Sequence, residues 1–338
     1  MEWIRTCDFI SIKQSLIMEH AEIVQPASIM AAAFIGLALG VWTDFGNSSG
    51  RLIEPFLIVM LFFVFLAVDG SRLREAFSDR RFTGTALLVN FVWTPLFAIL
   101  LGYAFFSGNL DVRFGILMLL VTPCTDWFLV FTGVAKGNTA LSSAILPLNL
   151  IIQVLLLPVY AWVFFGADLS FDAATILWSI LVVLGIPIAA AVIIRLLASR
   201  SQAVDGAKTS VLGYNDELQT LFLCLAIVAM FASESQVLFD NLVLLVEMLI
   251  PLMIFFIVNY LISSGIGRLG KWDFDDTTSL IFTTMARNSP LALAICAAAF
   301  PENSVALLIL VIGPLIELPT LALAANLRLH VRRMQELR

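Results

Sequence analysis

The strongest constraint on the fold of this chain is a succession of long apolar runs separated by Gly, Pro, Asn and charged residues. About 20 apolar residues in a helix cross the hydrocarbon core of a bilayer, and a helix satisfies its own backbone hydrogen bonds there. The sequence therefore predicts an all-α polytopic membrane protein with ten transmembrane helices. The runs fall at residues 27–43, 52–69, 82–106, 113–135, 139–165, 173–197, 217–233, 238–265, 277–299 and 303–327.

Composition supports the same class. Of the 338 residues, 60% are hydrophobic and 13% charged, whereas soluble domains have about 45–50% and about 25%. A net charge of −6 argues against a nucleic-acid partner, which needs a basic surface. The four cysteines are too scattered to form a disulfide framework or a zinc site, and no cofactor is predicted.

The distribution of basic residues predicts the orientation. With a cytoplasmic N-terminus, 16 of the 19 Lys and Arg residues fall in inner segments, and only Arg51 and Arg113 fall in outer loops. The remaining one, Arg287, lies inside an apolar run. We therefore expect a multi-pass protein of the plasma (inner) membrane with both termini cytoplasmic. Residues 1–26 form an amphipathic lead-in and residues 328–338 a basic tail in this prediction.

Ten spans divide into two halves of five, so an internal repeat must be inverted across the membrane. The fourth and ninth spans are both interrupted, at TPCTDW and ARNSP. Proline removes a backbone hydrogen bond, which is tolerated in lipid only where the break is buried in protein or faces water. Paired breaks at matching positions of two halves indicate a transporter's binding site.

Ionisable residues inside these spans are candidates for function because a buried charge is costly unless it is paired or solvated. Asp126 follows the break at Pro123, and Arg287 precedes the break at Pro290. If the two breaks cross, the two charges face each other. Two interpretations are open: a structural ion pair, or a direct role in binding substrate or protons.

Two glutamates also lie within apolar runs. Glu317 is flanked by Pro314 and Pro319, and a desolvated carboxyl group there is a candidate for carrying a coupled proton. Glu247 lies nearer the end of its span, where a side chain that reaches the membrane surface is the favoured interpretation.

Cys124 lies in the first break, beside Thr125, where its thiol is exposed to a cavity. A cysteine in an apolar span is most often a small packing residue. Its position in the break favours a second interpretation, because a soft thiolate selects a thiophilic element such as trivalent arsenic.

Three segments carry a resemblance to the bile acid/sodium symporter superfamily and, within it, to the arsenite-efflux permeases. TPCTDWFLVFTGVAKGNTALS resembles the fourth helix of the family, and VNFVWTPLFAILLGYAFF, with Asn90 and Pro95, resembles the third helix of the permeases. IGPLIELPTLAL is similar to the tenth permease helix almost residue for residue. The resemblance covers about residues 27–327.

The resemblance implies two inverted five-helix repeats, with the broken helices 4 and 9 crossing inside a core that moves against a panel. The panel would comprise residues 27–69 and 173–233, and the core residues 82–165 and 238–327. It also implies that Cys124 is the thiol implicated in permease activity and that Glu317 is the carboxylate of the tenth helix.

Departures from the symporters predict that sodium coupling is lost. Positions that hold sodium ligands in the symporters are occupied by Phe128, Leu129, Thr283 and Arg287. A guanidinium at position 287 then takes the place and charge of the ion, with Asp126 as its counter-charge. The ninth-helix Glu of the permeases is also absent.

The sequence predicts a proton-driven, sodium-independent exporter of arsenite, as neutral As(OH)₃, with antimonite as a further substrate. Its partners would be that solute, protons and the lipid bilayer, and assembly with copies of itself is left open. The predicted coupling charges are Glu317, Asp126 and Arg287; the predicted substrate-binding residues are Cys124, Thr125, Asn90, Asn288 and Ser289.

Two other functions stay open. A carrier for a small organic anion would hold its substrate with Arg287 and the half-helix ends. A receptor or enzyme is disfavoured because the sequence has no paired His, no nucleophile with a base in reach and no phosphate loop.

Overall fold

The computed structural model describes residue 28 and residues 31–67, 79–125, 127–165, 173–233, 235–240 and 242–336. Regular structure in these residues is helical, apart from one isolated β-bridge between Pro123 and Arg287. The predicted lead-in, 1–26, and Asp126 lie outside the described residues.

The helices follow the apolar runs along the chain. In order they are α1 (Ala31–Trp42), α2 (Gly46–Ala67), α3 (Arg80–Phe106), α4 (Leu110–Leu120), α5 (Trp127–Val134), α6 (Thr139–Phe165), α7 (Ala173–Ala198), α8 (Gln202–Leu212), α9 (Asn215–Ser233), α10 (Ser235–Asp240), α11 (Leu242–Leu269), α12 (Phe274–Met285), α13 (Ser289–Ala299) and α14 (Ser304–Glu336). The last helix continues to Glu336, so most of the predicted basic tail is helical.

Five of these helices contain apolar stretches long enough to cross a bilayer, and the bent pair α8 and α9 is a sixth candidate, within the part of the chain that is described. The long stretches lie in α2, α3, α6, α11 and α14. The fold is therefore that of an all-helical, multi-pass membrane protein. Ten crossings, arranged as an inverted repeat, stay a prediction.

The two predicted breaks meet in space. α4 ends at Leu120 and α5 begins at Trp127, while α12 ends at Met285 and α13 begins at Ser289. The unwound segments pair as an antiparallel bridge: the Cys124 N–H donates to Ala286 O at 3.0 Å, and the Asn288 N–H donates to Thr122 O at 2.7 Å. Each unwound segment thus supplies hydrogen-bond partners for backbone groups of the other. A break in a membrane-embedded helix needs such partners because lipid cannot supply them.

A second packing unit flanks this crossing. α2 packs mainly against α9 and α7. The approach of α2 to α9 is close because Gly46 has no side chain; a Cβ there would lie 2.7 Å from Ala232 O. Both α2 and α9 present residues toward the crossing, as the site below shows.

Candidate functional site

Arg287 is the central side chain of the crossing, and it is only 2% exposed. Its Nε donates to Met285 O at 3.2 Å, and its Nη1 donates to Leu120 O at 2.9 Å. Nη2 donates to Asn90 Oδ1 at 3.1 Å and to Thr284 O. The guanidinium therefore binds the C-terminal carbonyls of both α4 and α12, which carry partial negative charge.

The ring of Phe255 on α11 lies beneath this cation, with Cζ of Arg287 5.3 Å from the ring centroid. Aromatic faces attract cations at this distance. The charge is thus stabilised by helix ends, an amide and an aromatic ring. The predicted partner Asp126 is not among the described residues, so its pairing with Arg287 stays a prediction.

Asn90 supports Arg287. It lies in a π-helical turn of α3, Val89–Trp93, and its side chain is fully buried. Oδ1 accepts from Arg287, and Nδ2 donates to Thr283 O at 3.2 Å. Tyr160 on α6 donates to Phe91 O at 2.6 Å within the same turn. Both polar ends of Asn90 are engaged, and the residue is not among those that line the cavity described below.

Glu317 lies on α14 and is 3% exposed. Its Oε1 accepts a 2.7 Å hydrogen bond from the backbone N–H of Arg287, so the carboxyl group contacts the unwound segment between α12 and α13. This contact places an ionisable group directly against one of the two breaks. Glu247, in contrast, is exposed on α11.

A small cavity lies between the crossing and the flanking unit of α2 and α9. The predicted site residues Cys124, Arg287 and Asn288 line one side of it. The space open to the centre of a water-sized sphere is about 30 Å³, whereas one water needs about 10–15 Å³ on that measure. In this conformation the cavity has room for about two waters or a solute of similar size.

The remaining predicted polar residues lie next to this cavity. Asn288 caps α13 by accepting from the Leu291 N–H at 3.2 Å, and its Nδ2 donates to Thr125 Oγ1 at 3.2 Å. Ser289 is buried, and its Oγ has no hydrogen-bond partner among the residues that the structure describes. It faces Gly313 on α14, where an added Cβ would lie 3.0 Å from Ser289 Oγ.

The positions that the resemblance aligns with sodium ligands offer few side-chain oxygens. Phe128 is fully buried and Leu129 partly buried, and neither has a side-chain oxygen. Thr283 is buried, and its Oγ1 has no hydrogen-bond partner within the described part of the chain. Within the described residues no group of three or more His, Cys, Asp or Glu is placed to hold a metal ion.

The other side of the cavity contains residues that sequence reasoning missed. Gln219 and Thr220, on the first turns of α9, line it together with the apolar side chains Met60, Leu61 and Val64 of α2. The available signal is weak: two polar residues near the start of an apolar run. Such residues are usually read as facing the membrane surface.

Comparison with known proteins decides the family. Residues 54–241, more than half of the chain, match the Sodium Bile acid symporter family. The chain belongs to this family. The name of the family describes transport, which agrees with the multi-pass helical fold.

Proteins similar to this chain include two arsenical-resistance proteins. The chain is 24% identical over 275 residues to the arsenical-resistance protein Acr3 of Corynebacterium glutamicum, covering 78% of this chain and 74% of that protein. It is 22% identical over 274 residues to Acr3 of Alkaliphilus metalliredigens, covering 78% and 77%. An uncharacterized transporter of Synechocystis is 23% identical over 292 residues, covering 80% and 76%.

Proposed function

We propose that this member of the Sodium Bile acid symporter family exports arsenite, and also antimonite, across the plasma membrane in exchange for protons. The observation that carries the proposal is the cavity at the helix crossing, lined by Cys124, Arg287 and Asn288. Both termini are cytoplasmic in this proposal, as the basic residues predict.

The chemistry of the cavity suits trivalent arsenic. As(III) is a soft centre that binds thiolate, and Cys124 is the cysteine that lines the cavity among the described residues. Neutral As(OH)₃ is a small pyramidal molecule with three hydroxyl groups, so the limited space and the amide of Asn288 are compatible with it. Two relatives named arsenical-resistance proteins support the same substrate.

Sodium independence is proposed from the surroundings of Arg287. Three carbonyl oxygens and one amide oxygen, from α3, α4 and α12, converge on its guanidinium. These acceptors satisfy the buried guanidinium, whose positive charge replaces that of the ion in this proposal. A tethered guanidinium supplies that positive charge permanently, so no sodium ion is needed to hold the breaks together.

Proton coupling is proposed for Glu317. Its carboxyl group is buried within the protein and bonded to the backbone of Arg287 at the break. A change in its protonation therefore acts directly on the segment that forms the cavity. Asp126, two residues after Cys124 in the chain, is a second candidate for this role.

The family's architecture supplies the motion. We propose ten transmembrane helices in two inverted repeats, with a panel of residues 27–69 and 173–233 and a core of residues 82–165 and 238–327. Alternating access then results from movement of the core against the panel. The cavity lies between elements of these two parts, where such movement opens it to either side.

Arsenite uptake into everted membrane vesicles tests the function. Vesicles that contain the protein, energised to be acidic inside, are expected to accumulate arsenite above vesicles without it, and collapse of the proton gradient removes the difference. Uptake that depends on Na⁺ and ignores the proton gradient contradicts the proposed coupling.

A carrier for a small organic anion is the second candidate, favoured by the guanidinium of Arg287 at the cavity and by the N-terminus of α13 beside it. Competition separates the two functions. A carboxylate substrate would saturate transport without being displaced by arsenite, whereas the proposed function predicts that small carboxylates leave arsenite uptake unchanged.

A further inference from the structure

The cavity has a polar group on each of its sides. On the crossing side are Cys124, Asn288 and Arg287; on the α9 side are Gln219 and Thr220. The rest of the lining is apolar, including Met60 and Val64 of α2 and Leu223 of α9, except for the indole N–H of Trp127 on α5. A solute in this space therefore meets side-chain hydrogen-bonding groups mainly at these two places.

Gln219 and Thr220 are available to bind a solute. Both side chains are half-buried, and neither forms a hydrogen bond within the part of the chain that is described. Their hydrogen-bonding atoms are therefore accessible to a solute that enters the cavity. Their placement at the cavity favours a binding role.

A third polar group continues this side of the cavity. Asn215 lies one helical turn before Gln219, so the two side chains share a face of α9. It is 7% exposed, and its Oδ1 is buried without a partner among the described residues. Asn215 does not itself line the cavity, but it extends this polar face of α9 from the start of the helix to Gln219.

We propose that Gln219 and Thr220 form the second half of the substrate site and determine its preference for a neutral, hydroxylated solute. This inference rests on the proposed arsenite transport and adds the residues that recognise the hydroxyl groups. Cys124 contacts the arsenic centre, while the amide of Gln219 and the hydroxyl of Thr220 donate to and accept from hydroxyl groups on the other side of the molecule.

This assignment has a consequence for selectivity. An amide and a hydroxyl each donate and accept hydrogen bonds, so together they match a neutral polyhydroxy molecule. A carboxylate offers only acceptors, which leaves the acceptor oxygen of Gln219 unpaired. The α9 side therefore discriminates against the organic anions that Arg287 alone would attract.

The test is a binding isotherm for arsenite on the purified full-length protein in detergent. The variants are Gln219→Leu and Thr220→Val, which keep size and remove hydrogen bonding. Thr209→Val, on the exposed face of α8, is the matched control. We expect the Kd for arsenite to rise about two- to tenfold for each variant, the effect of one lost hydrogen bond, and to stay unchanged for the control.

A conservative variant separates recognition of the solute from folding of the protein. Thr220→Ser keeps the hydroxyl group and is expected to bind arsenite as the parent does. Parent-like Kd values for both Gln219→Leu and Thr220→Val overturn this inference while leaving arsenite transport intact. Absence of arsenite binding by the parent itself overturns the proposed function and this inference with it.

Discussion

The backbone N–H of Arg287 donates a 2.7 Å hydrogen bond to Oε1 of Glu317, a residue 30 positions later in the chain. The guanidinium of the same arginine binds the ends of α4 and α12 instead. The Glu317 carboxyl group therefore contacts the backbone of the unwound segment, while the Arg287 guanidinium contacts the helix ends beside it. Movement of the unwound segment changes the surroundings of both groups together.

Glu317→Gln is expected to uncouple transport from the proton gradient. Glutamine keeps an oxygen that accepts from the Arg287 N–H, so the break retains its contact, but the side chain no longer ionises. Arsenite accumulation in energised everted vesicles should fall to the level of vesicles without the protein, while exchange of labelled for unlabelled arsenite continues. Gradient-driven accumulation equal to that of the parent rules out Glu317 as the coupling group.

Arg287→Gln is expected to destabilise the protein and impair transport without creating a response to Na⁺. The shorter side chain leaves some of four buried acceptors unpaired, at a cost of about 1–3 kcal/mol for each. Thermal unfolding in detergent should show a lower midpoint, and Arg51→Gln at an exposed position of α2 should not. Phe128 and Leu129 provide no oxygen ligands in compensation, so Na⁺-driven uptake by this variant would contradict the tethered-cation role.

Gly115→Ala is expected to lower stability because α4 and α14 approach each other closely at this position. The added Cβ would lie 3.0 Å from the backbone Cα of Ala306 and 2.7 Å from Cδ1 of Ile309, and such overpacking costs about 1–3 kcal/mol. Gly84→Ala in α3 is the matched control, since nothing lies within 4 Å of its added Cβ. Equal thermal midpoints for the two variants would show that the contact between α14 and α4 is looser than in this structure.

The helices and the positions of the two breaks are predictable from sequence because both depend on local signals. Apolar runs specify the helices, and Pro123 and Pro290 mark where two of them stop. Each unwound backbone needs partners, but the pairing of Cys124 with Ala286 is not a local signal, and only the resemblance to the symporters implies that the breaks cross.

Contacts that depend on three-dimensional packing are not predictable in this way. Asn90 is expected from sequence to bind substrate, yet its amide holds Arg287, because the π-helical turn places it beneath the guanidinium. Glu317 contacts a backbone N–H, which no side-chain pattern indicates. Gln219 and Thr220 become visible only when α9 is placed against the crossing.

Cys124→Ser tests the central claim most directly, with Cys296→Ser as its matched control. Both thiols are buried, but Cys296 lies within α13 and does not line the cavity. Arsenite uptake into energised everted vesicles should fall about tenfold or more for Cys124→Ser, the effect of losing about 1.4 kcal/mol of binding, and should be unchanged for Cys296→Ser. Uptake by Cys124→Ser equal to that of the parent, at equal protein levels, would remove the thiol from the mechanism and contradict the account.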